Sequence, residues 1–460
     1  MQPILAIARL TFKAAFRFRL VPVLAVLLLG AVVALPEVVE HDGTARGLAQ
    51  IVLTYTLGLT TALLGLTTLW LACGTLARDI EECQMQMVAV KPVARWQVWV
   101  GKWLGIMALN AALLSLAAGI VYAELLWRAR GLPPAQQEAL RSEVLVARGS
   151  RKPPVPDLEP IVAQVMRERL KNERVAAMDR NEVRKIIREQ VKSQEQVVPP
   201  GYQRTWQIHL GSVKDSLREQ PLFLRVKFFV AERSASGTYL AVWQVGPSDS
   251  AKRWTDTPKS QAAETFYEFP IPPNMFDEQG VLTVTFQNLN ETALLFPLED
   301  GLEVLYPESG FGVNYVRAVG ILFCWLALLA AIGLAAASFL SFPVAAFFSL
   351  GVLIVAFSTG TMNQVIEQGT IREVNSSTGQ VEHAIWFDYA TVAVFKGLLF
   401  AVNLVQEFSP IDLLSSGRSI TWGQLARAVA QIILVMGGLF ALIGITAFTR
   451  RELATAQATT

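Results

Sequence analysis

A chain of 460 residues that is 52% hydrophobic and 17% charged, with a mean hydropathy of +0.39, is too apolar to be soluble throughout and too charged to lie wholly in a bilayer. The composition implies a helical membrane part joined to a polar domain outside the lipid. A net charge of +2 leaves no basic surplus with which to hold nucleic acid, so no nucleic-acid partner is expected.

Residues 1–19 read either as an amphipathic helix lying on the membrane or as a basic flank that orients the first span. Arg9, Lys13 and Arg17 recur every four residues, while Ile4, Ile7, Leu10, Ala14 and Phe18 fill much of the other side. A first membrane span follows at 20–36, which is short, and it ends in Pro36–Glu37, so no cleavable leader is evident. Residues 37–47 are a polar outer loop. A second span at 48–77 is longer than a bilayer requires. Its threonines can bond back to their own helix. The polar stretch 78–102 separates it from a third span at 103–127. Trp96, Trp99 and Trp103 mark one membrane interface of that span and Trp127 the other, since indoles prefer headgroup depth.

From 128 to 313 no apolar run is long enough to cross a membrane. Of the three cysteines, Cys73, Cys83 and Cys324, none falls in this region, so no disulfide holds it. Residues 131–198 read as helical. Prolines 133, 134, 153, 154 and 156 make an irregular lead-in with one short helix, and 157–196 holds one or two charged helices without sustained heptads. Residues 199–310 carry short aromatic and β-branched runs at 203–210, 222–231, 238–245, 264–271, 281–288 and 293–305, separated by turn signals. That pattern predicts an antiparallel β-sandwich.

Apolar runs return at 314–337, 343–362 and 425–448 and predict spans four, five and six. The run 384–408 is interrupted by Asp388, Lys396, Asn403 and Glu407. With six spans, the basic residues near both termini and those of 78–102 share the inner side, as the positive-inside rule prefers. The run 384–408 is then an interfacial or re-entrant helix within the outer loop 363–424. Both termini are cytoplasmic, including the tail 450–460, and 128–313 is extracytoplasmic. The expected fold class is an α-helical integral membrane protein of six transmembrane helices plus the N-terminal interfacial helix, with an extracytoplasmic α+β domain containing the sandwich. The expected location is the plasma (inner) membrane.

Little in the sequence carries chemistry. No phosphate-binding loop, HExxH, paired CxxC or GxSxG occurs. His41, His209 and His383 lie in three unrelated segments, which argues against a shared metal site. Asn290-Glu291-Thr292 and Asn375-Ser376-Ser377 fit glycosylation sequons and are read as ordinary loop residues. No relay of ionisable groups can be drawn through the spans. The chain is therefore not expected to be an enzyme, no cofactor is expected, and any energy source lies in another subunit.

The stretch 78–102 is the one place where named residues suggest a role. Arg78-Asp79-Ile80-Glu81, then Lys91-Pro92, Arg95-Trp96 and finally Gly101-Lys102 at the mouth of a span resemble the first cytoplasmic loop of type-2 ABC exporter permeases. Aspartate stands at 79 where glutamate is commoner. The six-span order, the basic N-terminal helix and the Arg450-Arg451-Glu452 ending agree with that resemblance, which covers about half the chain. The large outer domain departs from the minimal family.

The resemblance implies a coupling helix that seats in a groove of a separate ABC ATPase subunit, with Glu81 and Glu82 contacting it. Arg78, Asp79, Lys91 and Arg95 belong to the same coupling surface, and the cations pair with the ATPase or with lipid headgroups. It also implies a second permease subunit, identical or a paralogue, and export or extraction of a substrate. The competing readings are a non-transport scaffold or mechanotransmission subunit whose outer domain binds an envelope protein or glycan, and a receptor without an ATPase.

Overall fold

Among the described residues, four stretches are long and apolar enough to cross a membrane as helices: Gly47–Glu81, Arg95–Ala129, Phe311–Ala337 and Trp422–Arg450. Shorter apolar helices cover Pro22–Val38, Phe342–Phe357 and Tyr389–Val405. They belong to a computed structural model that describes residues 2–17, 20–39, 43–85, 92–171, 180–232, 236–247, 252–257, 259–368 and 386–451.

In chain order the helices are α1 (Gln2–Arg17), α2 (Leu20–Val38), α3 (Gly47–Glu81), α4 (Arg95–Ala129), α5 (Pro134–Ala139), α6 (Glu159–Arg169), α7 (Arg180–Gln196), α8 (Phe311–Ala337), α9 (Phe342–Phe357), α10 (Thr359–Gln368), α11 (Trp386–Gln406), α12 (Pro410–Ser415) and α13 (Trp422–Arg450). The chain divides into two compact units, Met1–Ala147 with Gly310–Thr460, and Arg148–Ser309.

The first unit is helical, and α8 is its most enclosed apolar helix: 67% of its most apolar window is buried, against 22% for α13. Small residues make this possible. Ala330, Ala331, Ala335, Ala336 and Ala337 are buried, and a Cβ on Gly333 would sit 2.7 Å from Ala72 Cβ of α3. Close backbone approach of this kind is how helices associate where lipid removes the hydrophobic drive between them. Polar atoms within the unit are mostly satisfied locally. Thr61 and Thr67 donate to the carbonyls of Leu57 and Leu63, each at 2.8 Å. Thr68 instead donates across to Asn110 Oδ1 of α4 at 2.9 Å.

The first turns of α8 are fixed by three polar side chains. Asn314 accepts from Ile420 N and donates to Arg418 O, both at 2.7 Å. Arg317 donates to Ile420 O at 2.8 Å, and its guanidinium lies 4.7 Å from the Trp422 ring. The Tyr315 hydroxyl donates to Ala118 O at 2.8 Å. Thr421 and Gln424 exchange side-chain-to-backbone bonds of 3.1 and 2.9 Å and so start α13 with a capping box.

The second unit is built on antiparallel sheets. Its strands are β1 (Val146–Arg151), β2 (Val197–Val198), β3 (Gln203–His209), β4 (Leu222–Val226), β5 (Phe229–Val230), β6 (Thr238–Val245), β7 (Trp254–Thr255), β8 (Lys259–Ala262), β9 (Tyr267–Ile271), β10 (Val281–Asn288), β11 (Leu294–Leu295) and β12 (Leu302–Gly310). One sheet runs β1-β12-β4-β9. A second runs β3-β10-β6-β7 with β8 also on β6, and a third runs β2-β11-β5. Each sequence run predicted as β contains a strand. Alternation explains this: in β10 every second residue, Leu282, Val284 and Phe286, is buried. Inward residues from the sheets share one core, in which Trp243 lies 4.8 Å from Phe286 and 5.8 Å from Phe296. Helices α6 and α7 pair through Val162, Val183, Ile187 and Val191.

Two boundaries differ from those read from the sequence. Residues 128–147 belong to the helical unit, because Leu132, Leu140 and Val144 are buried in its core. The stretch 131–198 is not wholly helical. Strand β1 interrupts it, and its Arg-Gly-Ser composition gives no β signal of its own. What fixes β1 is pairing at the edge of β12, helped by an ion pair of Arg148 with Glu268 in which both side chains are almost fully buried. Gly149 permits Tyr306 to lie against the strand, since a Cβ there would be 2.4 Å from that ring.

Candidate functional site

The stretch 78–102 is less of a loop than its sequence suggests. Arg78–Glu81 form the last turn of α3, and Arg95–Lys102 form the first two turns of α4. Helix α3 stops where Cys83 takes a left-handed conformation with φ 57°. Helix α4 starts at Ala94, whose N–H donates to Gln97 Oε1 at 3.2 Å. Residues 86–91 between them, Lys91 included, lie outside the described residues.

Most charges here hold helix ends. Lys102 is buried and donates to Asp79 Oδ2 at 2.5 Å and to Thr75 O at 2.7 Å, tying α4 to α3. Glu81 Oε1 accepts from the Phe342 N–H at 2.8 Å, which caps the start of α9. The Arg78 guanidinium lies 4.4 Å from the Phe342 ring, and Trp70 meets that ring edge-on at 5.2 Å. Arg95 donates to three carbonyls at the end of α13: Phe448 O at 2.7 Å, Thr449 O at 2.8 Å and Arg451 O at 2.7 Å. Arg451 in turn donates to Ser338 O at 3.3 Å and Ala337 O at 3.5 Å, where α8 ends. The signs follow the helix dipole: cations sit at two C-termini and an anion at an N-terminus. Glu82, Cys83 and Gln84 remain outermost, and Gln84 donates to Glu82 Oε2 at 2.6 Å.

Helix α1 packs along the start of α4, and Gly101 and Gly105 are the reason. A Cβ on Gly101 would lie 2.8 Å from Ile7 Cβ, and one on Gly105 would lie 2.6 Å from Ala8 O. The buried face of α1 therefore runs through Thr11 and Ala15. Leu10, expected on the apolar face, is 66% exposed beside exposed Arg9 and Lys13. The side chain of Arg17 lies outside the described residues.

The four tryptophans of α4 divide. Trp96 and Trp127 are exposed. Trp99 is buried, and Trp103 donates to Ala327 O of α8 at 3.1 Å, so these two face the helix packing instead. The sequence offered no sign of Arg451 as a brace, or of the cluster at the far end of α4, where Arg128 pairs with Glu124 at 2.9 Å and with Glu37 of α2 at 2.7 Å. No group of three or more metal-ligating side chains occurs among the described residues. His41 and His383 lie outside them, as does the sequon at 375–377.

Compared with known proteins, the chain matches no family model, no curated protein and no solved structure. The reading of the site rests on its own geometry.

Proposed function

We propose that this chain is the membrane-spanning permease subunit of an ABC transporter, energised by a separate ATPase subunit. In this reading six helices cross the inner membrane, α1 lies at its cytoplasmic face, both termini are cytoplasmic and 128–313 is extracytoplasmic. Two permeases, identical or paralogous, pair with two ATPases and export a substrate or extract one from the membrane. The β sheets of the outer domain form a sandwich, and α11 is interfacial or re-entrant.

One observation carries the reading. The exposed turn Glu82-Cys83-Gln84 lies in sequence between Glu81, which caps α9, and Arg95, which holds the end of α13. A partner that displaces this turn acts on several apolar helices at once. Glu81 caps α9, so Glu82 with Gln84 is the better candidate for direct contact.

The test is capture of a Walker-motif ATPase with the full chain in mild detergent. The double variant E82A/Q84A is expected to lower capture about tenfold, the effect of losing one charged hydrogen bond. E81A is expected to retain capture while losing about 1 kcal/mol of stability through its lost cap. Undiminished capture and stimulation by E82A/Q84A defeat the assignment.

A scaffold or force-transmitting role remains the second reading, because Arg148–Ser309 is a compact unit with its own core. Deleting that unit separates the two. Transport survives if the unit only binds an envelope component, and the binding is lost.

A further inference from the structure

Asn314 and Arg317, three residues apart on α8, both reach the short stretch 418–420 that leads into α13. Asn314 is buried and satisfies both halves of its amide there, on Ile420 N and Arg418 O. That pair already fixes the stretch, and a neutral donor at 317 would hold Ile420 O as well as a charged one. Arg317 is nevertheless a cation, and it is only 9% exposed. Its Nη1 donates to Ile420 O, its Nε has no hydrogen-bond partner, and among the described residues no carboxylate pairs with it. Other enclosed cations differ in this respect. Lys102 faces Asp79, Arg128 faces Glu124 and Arg148 faces Glu268. A guanidinium held only by a carbonyl and a ring keeps its charge uncompensated, which is costly away from water. The Ser419 hydroxyl, in the same stretch, is also buried without a partner.

We propose that Arg317 binds the phosphate of an anionic phospholipid headgroup. The Nε–Nη2 edge of its guanidinium makes no bond to the described residues, and two parallel N–H groups match two phosphate oxygens. The surroundings favour a lipid over a dissolved anion. Helices α8 and α13 are both long and apolar enough to cross a membrane. The guanidinium lies 4.7 Å from the ring of Trp422, which is 60% exposed at the start of α13, and indoles prefer headgroup depth. Val313 and Val316 are exposed on α8 beside Arg317, and α13 has the least buried apolar window of the four long helices, so both leave apolar surface for acyl chains. Basic pockets between apolar helices hold headgroups by this combination of charge and apolar surface. The proposal uses only these helices and does not depend on an ATPase partner.

The test melts the full chain, stripped of lipid in a neutral mild detergent, and follows the helical unit by circular dichroism. Phosphatidylglycerol, phosphatidylcholine and inorganic phosphate are titrated in separate arms, and the apparent affinity is read from the shift of the midpoint with concentration. Phosphatidylglycerol is expected to raise the midpoint of the parent at lower concentration than phosphatidylcholine does. R317Q keeps a donor for Ile420 O and removes the charge. It is expected to need about tenfold more phosphatidylglycerol for the same shift, the effect of losing a charged hydrogen bond, with its response to phosphatidylcholine unchanged. R317K is expected to fall between, since an ammonium keeps the charge without the fork.

An R317Q midpoint lowered equally with and without lipid makes Arg317 a brace only and overturns the proposal. Equal responses of the parent to the two lipids also overturn it. A shift given by inorganic phosphate alone and lost in R317Q assigns the site to a free anion and overturns the lipid. Should R317Q fail to fold, W422A decides, because it alters an exposed side chain and leaves Thr421 and Gln424 to cap α13. It is expected to weaken phosphatidylglycerol binding about threefold by releasing the guanidinium from the ring, and an affinity equal to the parent's overturns the proposal.

Discussion

Two glycines of α4 allow a paired prediction in which one substitution is the other's control. Gly105→Ala places a Cβ 2.6 Å from Ala8 O and 2.7 Å from Thr11 Cβ. The first neighbour is backbone, so relief requires α1 itself to move. Overpacking of this kind costs about 1–3 kcal/mol. Alanine returns about 1 kcal/mol of helix propensity relative to glycine. The net effect on overall stability is a loss of up to about 2 kcal/mol, while docking of α1 bears the full packing cost. Gly119→Ala, in the same helix, meets nothing within 4 Å. It collects the propensity gain alone, so the two variants are separated by about 1–3 kcal/mol. A suitable assay labels Ala15→Cys with a water-soluble thiol reagent. Ala15 is 3% exposed on the docked face of α1, and Cys83, the exposed native thiol, is first replaced by serine. Labelling is expected to quicken about fivefold or more in G105A and to stay at the parent rate in G119A. Equal rates in the two variants would refute the idea that Gly105 seats α1 on α4.

Two further predictions concern the second unit. Glu268→Ala removes a carboxylate partner of the buried Arg148 and is expected to destabilise that unit by about 3 kcal/mol, followed by tryptophan fluorescence, whereas R148M/E268M recovers part of the loss. Lys192 donates to Glu299 at 2.7 Å, a bond that raises the lysine pKa and holds the Glu299 carboxyl below the usual carboxylate range. The carboxylate's contribution is present above the ordinary carboxylate pKa and lost as pH falls through the lowered value. The lysine's contribution is present below the ordinary lysine pKa and lost as pH rises through the raised one. The tie on α7 is therefore whole between roughly pH 5 and 10. Because both groups are partly exposed it contributes at most about 1 kcal/mol. Amide exchange of α7 that is equally fast at pH 3 and pH 7, after correction for intrinsic rates, would count against it.

What the sequence made legible follows from how far apart the deciding residues lie. Helices α3, α4, α8 and α13 could be read because an apolar run specifies a helix locally, and β4, β6 and β10 because alternation does. Strand β1 could not, since its pairing with β12 is set by residues distant in the chain and its own composition is polar. The boundary at 128 failed for a related reason. Proline and charge after Trp127 look like the start of a soluble domain, yet Leu132, Leu140 and Val144 turn back into the helical core. Helices α2 and α9 also form where apolar runs predict them, and they are shorter than the four long ones.

The stretch 78–102 shows the same limit at the level of single side chains. Its charges were visible as a cluster, and a cluster of charges beside a membrane reads as a surface for something else. In the structure Asp79, Glu81, Arg95 and Lys102 are already engaged with Lys102, Phe342, the end of α13 and Thr75. Among the described charged residues of the stretch, their engagement leaves Glu82 without a tie to another helix and gives Gly101-Lys102 a separate explanation. Gly101 admits α1, and Lys102 locks α4 to α3. A motif at the mouth of a span thus serves helix packing first. Disconnecting Arg95 from α13 removes three carbonyl contacts at one helix end and is a sharper perturbation of packing than neutralising the charges of the stretch together.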